Sequence, residues 1–156
     1  MGGSIMVWNV LAEHGVQRSD VVEAWLELWV PHPGMDSSER AAELFGRELD
    51  AALDDPNVCV LLYAALLLDS AGRRGELPCI TREHYDADLA FIVADELLGM
   101  AIATYVGGTK GVFEYTRFDR QKPGVLSRLP PFLDDAVGGL IGGASANTYT
   151  HAMRGL

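Results

Sequence analysis

An all-α fold, a single compact bundle-like domain of six or seven helices spanning residues 1–156, is predicted by three observations. Apolar residues recur at spacings of three and four, no run alternates apolar and polar residues long enough for a sheet strand, and Pro, Gly, Asp and Asn punctuate the chain at helical intervals. A hydrophobic content of 49% and a mean hydropathy of +0.11 supply a core and argue against disorder. No internal repeat, low-complexity tract or linker divides the chain.

The elements follow in order. Ser19 is the expected N-cap of a helix through DVVEAWLELW, in which Val22, Trp25, Leu26 and Trp29 share one core face, and Pro31 and Pro33 stop it. Ser37 or Ser38 opens an amphipathic helix reaching about Leu53, with Ala42, Phe45, Leu49 and Leu53 on one side. Asp55-Pro56-Asn57 separates it from an apolar helix, Val58 to Leu68, expected to be buried and stopped by Arg73-Arg74-Gly75. After a connector, Thr81 with Glu83 and His84 opens a short helix. Near Asp86 to Asp88 this gives way to a long helix that carries Asp95 and Glu96 and closes at Gly107-Gly108. A further helix from about Thr109 to Gln121 ends before Pro123, because proline disfavours helical geometry in the residue preceding it. Pro130-Pro131 opens the last helix, proline being tolerated in a first turn.

Composition narrows the function classes. A formal net charge of −10 disfavours nucleic acid and anionic membrane surfaces, which reward clustered Lys and Arg. It leaves a small phosphorylated substrate open, since a bound divalent cation reverses the local charge. Cys59 and Cys79 form neither a disulfide framework nor a zinc motif and read as free thiols of a reducing compartment. No secretory or myristoylation signal opens the chain, and Val58 to Leu68, the longest apolar run, is shorter than the roughly 20 residues that span a bilayer. The expectation is a cytoplasmic protein without a membrane span, with apolar residues enough for a homo-oligomer. His14, His32, His84 and His151 are scattered, and neither a Walker-type loop nor a GxSxG elbow occurs.

The chemistry lies in carboxylates set among apolar or glycine-rich residues. Asp95 shares its helical face with Phe91, Gly99 and Ile102, and Glu96 with Ile92, Met100 and Ala103. Both are expected mid-helix, where helix-dipole complementation does not reach and no rotation of the helix exposes both. Asp134 and Asp135 share their half of the last helix with Gly138, Gly139, Gly142, Ser145 and Ala146. Glycines inside a helix cost on the order of 1 kcal/mol each against alanine, so they imply close approach by another backbone or by a ligand. Ionised carboxylates out of water require a cation or hydrogen bonds. One answer is a buried ion pair with Arg117 or Lys122. The other is Mg²⁺ on carboxylate oxygens, with Arg117 and Lys122 on phosphate oxygens and a spare carboxylate as general base.

Three ordered motifs carry these residues: Asp95-Glu96-x-x-Gly99-Met100, then Arg117-Phe118-Asp119-x-x-Lys122-Pro123, then Leu133-Asp134-Asp135-x-x-Gly138-Gly139. Together they resemble the phosphatidylglycerophosphatase A family over the chain from the Asp95 region onward. The resemblance implies an all-helical, Mg²⁺-dependent phosphomonoesterase. It places Asp95, Glu96, Asp119, Asp134 and Asp135 in catalysis, with Asp95, Glu96, Asp134 and Asp135 as metal ligands and Arg117 and Lys122 on the substrate phosphate. The chain departs from the bacterial membrane enzymes in lacking their clear spans. Its N-terminal half, including VPHPGMDSSERAAELFGRELDAALDDPNV, is more similar to archaeal relatives that act on α-ribazole 5′-phosphate in assembling the nucleotide loop of cobalamin. That ester is the expected substrate, with phosphatidylglycerophosphate as the alternative. An all-α nucleotide pyrophosphohydrolase and a non-catalytic helical module are the remaining classes.

Overall fold

The last helix is the axis around which the others pack. The computed structural model describes residues 2–156, with α1 (Gly2–Glu13), α2 (Arg18–Glu27), α3 (Ser38–Leu53), α4 (Pro56–Arg73), α5 (Arg82–Asp86), α6 (Ala94–Gln121) and α7 (Pro131–Arg154), and a 3-10 turn over Gly124–Arg128. Among the described residues the one β feature is an isolated bridge between His32 and Met35. Every residue of α7 from Phe132 to Ala146 is buried, and α3, α4 and α6 pack on it. A helix apolar or glycine-rich on all sides has to be central, because no face of it gains from water.

Several boundaries lie where caps predict. Ser37 accepts the N–H of Arg40, Thr81 that of His84, and Asp55 that of Asn57 at 2.8 Å. With Asp55 as cap, Pro56 occupies the first turn of α4, so that helix starts earlier than Val58. α2 starts at Arg18, not after Ser19, because the Asp20 carboxylate reaches back to the N–H of Gln17 at 2.8 Å. α1 precedes the first helix expected from the sequence. Contrary to expectation, α4 is not buried all round: Leu62, Ala65 and Leu66 face inward, while Val60, Tyr63 and Leu67 are more than half exposed.

The largest departure is the start of α6. Asp88 takes a left-handed backbone (φ +45°), residues 89–93 are irregular, and the helix begins only at Ala94. Gly107-Gly108 marks a real break: Gly108, at φ +64° and ψ −154°, splits α6 into two arms that fold back on one another. A Cβ on Gly111 of the second arm would lie 2.2 Å from the Ala103 carbonyl of the first. The glycines of α7 meet these arms backbone to backbone, Gly139 against Gly99, Gly143 against Gly107, and Gly142 against Tyr115. Of the two causes glycine allowed, a neighbouring backbone is the one found, and Gly99 faces the Asp135 carbonyl.

Below this layer Trp25 stacks on Phe45 at 4.5 Å and donates from its indole nitrogen to Ser145 at 2.8 Å. Trp25 is fully buried and Trp29 packs partly buried against the same core. No single described helix is long and apolar enough to cross a membrane.

Candidate functional site

Three helix ends converge. Asp95 and Glu96 lie in the first turn of α6, Asp134 and Asp135 at the start of α7, and Asp119 and Lys122 at the C-terminal end of α6. The mid-helix placement expected for Asp95 and Glu96 is therefore corrected. With α6 starting at Ala94, both stand where a helix dipole favours negative charge. Glu96 is also exposed, while Asp95 and Asp135 are each 3% exposed and Asp134 9%. Dipole and capping do not satisfy the buried members. The Lys122 ammonium donates to Asp119 at 2.7 Å and to Asp134, and lies 3.9 Å from Asp135. The Tyr115 hydroxyl donates to Asp135 at 2.7 Å, and Asp95 accepts the N–H of Glu96 at 2.9 Å. Asp134 Oδ1 is buried without a hydrogen-bond partner. One oxygen each from Asp119, Asp134 and Asp135 lies within 4.8 Å of the others.

The sequence reading missed three members. Asp88 faces Asp95, Lys122 and Asp119 from the left-handed residue ahead of α6. Tyr115 orients Asp135. Asp69 of α4, 1% exposed, accepts the N–H groups of Phe132 at 3.0 Å and Leu133 at 2.8 Å and the Tyr85 hydroxyl at 2.8 Å. It thus caps α7 from another helix and holds the end that bears Asp134. Its signal is the acid in VLLYAALLLDS, the residue directly after the apolar segment Val58 to Leu68.

Arg117 does not join the cluster. Residues 117 and 119 are separated by roughly 200° around a helix. The Arg117 guanidinium bonds instead to Glu114 at 3.2 Å and to the Leu28 carbonyl, and lies over the Phe118 ring. Glu114 in turn accepts from Ser145 at 2.8 Å. The phosphate role expected of Arg117 thus has no geometric support, and Lys122 is the cation the fold delivers. The histidines are engaged elsewhere: His14 with the Val10 carbonyl, His32 with Tyr149, His84 with Phe91 and His151 with Glu48.

Crowding of like charge shows in proton affinity. Burial raises Asp134 from the ordinary 3.8 to about 6 against the pull of Lys122. Burial, with a proton-sharing contact to Asp119, raises Asp135 to about 9. Burial and the proximity of Asp95 raise Glu96 and Asp88 as well. Burial alone would lower Lys122, but its bonds to Asp119 and Asp134 hold it above its ordinary value, so it stays charged. Carboxyls raised on folding contribute stability that is complete below about pH 4. That contribution is lost as pH rises through about 6 for Asp134 and about 9 for Asp135. Without divalent ions, the thermal midpoint should therefore fall as pH rises from 4 to 9, and a divalent ion, if the cluster binds one, would flatten that slope. Scanning calorimetry across the range with chelator and with Mg²⁺ checks both, and a rising chelator curve contradicts the assignment.

The sequence matches no family model. Over 132 residues it is 34% identical to the uncharacterized protein MJ1330 of Methanocaldococcus jannaschii, covering 82% of this chain and 99% of that protein. The fold is similar to the low temperature requirement C protein of Listeria monocytogenes, with a TM-score of 0.81, 26% identity, and 99% and 98% of the two chains covered. It is also similar to protein ypjQ of Bacillus subtilis, described with the family model DUF64, at a TM-score of 0.81 over 99% and 96% of the chains. At 18% identity that likeness is one of fold alone. Its neighbours in structure are thus all-helical proteins of the low temperature requirement C and DUF64 kind, and by sequence the chain belongs to the family of MJ1330.

Proposed function

We propose that this protein is a Mg²⁺-dependent phosphomonoesterase acting at the convergence of α6 and α7. The observation that carries the reading is the buried Asp134 Oδ1 without a partner, on a carboxylate that places one oxygen within 4.8 Å of oxygens of Asp119 and Asp135. A buried carboxylate oxygen left unpaired costs free energy that a cation recovers. Oxygen donors alone, in excess over the single ammonium of Lys122, suit a hard divalent ion. Asp119, Asp134 and Asp135 would hold it, with Asp95, Glu96 and Asp88 facing it. When bound, Mg²⁺ would neutralise and polarise the phosphoryl oxygens.

The chain's own groups supply the rest. Lys122, kept charged, exchanges a carboxylate partner for a phosphate oxygen. Tyr115 fixes the Asp135 rotamer by donating to it. Glu96, exposed at the rim with a raised proton affinity, accepts a proton of the attacking water as its oxygen bonds phosphorus and the P–O ester bond breaks, and passes that proton to the departing oxygen, which leaves as the alcohol.

The three ordered motifs support membership of the phosphatidylglycerophosphatase A family, and the N-terminal half supports α-ribazole 5′-phosphate as substrate over phosphatidylglycerophosphate. Phe91, Val93, Leu97 and Met100, 40–63% exposed around Asp95 and Glu96, offer an apolar wall for the organic part of either ester. Purified protein with Mg²⁺ should release phosphate from α-ribazole 5′-phosphate faster than from dispersed phosphatidylglycerophosphate, and chelator should stop it. Turnover of the lipid alone overturns the substrate. Release of pyrophosphate from nucleotides, or no turnover by folded protein, overturns the activity.

A further inference from the structure

We infer that the face formed by α1 and α4, remote in sequence from the carboxylates, is the surface through which two copies of this chain associate. Between these helices lies an open groove of about 500 Å³, floored by Val7, Leu11, Leu62 and Leu66 and flanked by Met6 and Val60. Beside it stand Ile5, Met6, Val60, Tyr63 and Leu67, exposed by 65, 70, 65, 51 and 53%. On α4, positions 60, 63 and 67 follow the three-and-four spacing of one helical stripe. The same helix turns a second stripe, Leu62, Ala65 and Leu66, into the core of its own chain.

Charge selects the occupant. The chain carries −10 overall, yet α1 bears no Asp, Glu, Lys or Arg before Glu13 and α4 none before Asp69. Two chains of the same sign repel least where charge is sparse, and on this face Asp54 at the rim is, among the described residues, the one charged residue lining the groove. An anionic bilayer needs Lys or Arg around the apolar contact, and the groove is lined by none. A basic partner would find its attraction at the acidic surfaces instead.

Shape and area fit a second copy. The face holds both a cleft and protruding side chains, so it is self-complementary about a two-fold axis, with Met6 and Tyr63 of one copy entering the groove of the other. Five such side chains at these exposures present on the order of 500 Å², the top of the range for a lone patch on a monomer. Pairing two copies covers roughly 1,000 Å² from these residues alone, which reaches the size of a specific interface before any rim is added.

Sedimentation velocity of the whole chain tests this. The wild type should run at twice 16.9 kDa. Val60→Glu and, independently, Tyr63→Glu should run at the single-chain mass at the same concentration, with unchanged helical circular dichroism, since both positions are solvent-facing in one chain. A wild type that stays at 16.9 kDa into the high micromolar range, or a dimer that both variants leave intact, overturns the proposal. So does a monomer that floats with phosphatidylcholine–phosphatidylglycerol vesicles, which would place a lipid surface on the groove. Loss of the dimer with phosphate release retained, or the reverse, separates this face from the proposed activity.

Discussion

Asp135→Asn is expected to lose phosphate release by on the order of 10²–10³-fold or more while melting higher than the wild type in chelator. The two effects come from one charge. Asp135 is 3% exposed, has an oxygen within 4.8 Å of one of Asp119, and lies 3.9 Å from a Lys122 already bonded to Asp119 and Asp134. Burial holds a proton on Asp135 up to about pH 9 that the unfolded chain gives up near 3.8. An asparagine is neutral without that proton, so the cost disappears, and its oxygen still accepts from Tyr115, so the fold keeps its contact. A gain of about 1–3 kcal/mol is the scale for replacing a poorly compensated buried ion. If the cluster binds Mg²⁺, the ion raises the wild-type melting temperature by linkage and the variant loses that rise. Phosphate release and thermal unfolding, each with and without Mg²⁺, read the whole prediction. A variant that keeps its activity and its Mg²⁺ response would show Lys122 to be the only cation these carboxylates need.

How much of this was legible depended on how far each feature's cause lies along the chain. Pro130-Pro131, the adjacent Asp134 and Asp135, and the glycines beyond them are local signals, and they marked both the start of α7 and its close packing. The end of α6 was equally local, Pro123 following a Lys122 at φ +49°. The start of α6 was not. The apolar run 89–93 has helical composition, but Asp88 ahead of it is left-handed and lies near Lys122 and Asp119, which come from the far end of α6. The cap that Asp69 gives to α7 spans more than sixty residues and no pattern within either helix announces it. Arg117 is the instructive case, because its helical phase against Asp119 follows from spacing and sets it on another side. The motif groups it with Asp119 and Lys122, while the helix turns it to Glu114 and the Leu28 carbonyl.

Gly139→Ala should unfold the site and much of the domain's margin with it. A Cβ at Gly139 would lie 2.1 Å from the Gly99 carbonyl oxygen, 2.9 Å from its carbon and 3.0 Å from its Cα, all of them backbone atoms of α6. Gly99 is met in return by the Asp135 carbonyl oxygen at 2.4 Å from its own would-be Cβ. No side chain can rotate away from such a clash, so the helix axes must separate. α7 resists, being held at its N-terminus by Asp69 and buried on all sides from Phe132 to Ala146. Overpacking against backbone therefore costs about 3 kcal/mol or more, a fall of roughly 10 °C in Tm for a chain of this size. Whatever protein remains folded should also lose activity, because the same separation draws Asp95 away from Asp134 and Asp135. Gly138→Ala is the matched control on the same helix turn. Its Cβ would meet only the Tyr115 ring, at 3.4 Å, and the better helix propensity of alanine, about 1 kcal/mol, offsets that contact. Thermal melts of the two variants decide the point: if they coincide, these glycines serve flexibility rather than the interlock of α6 and α7.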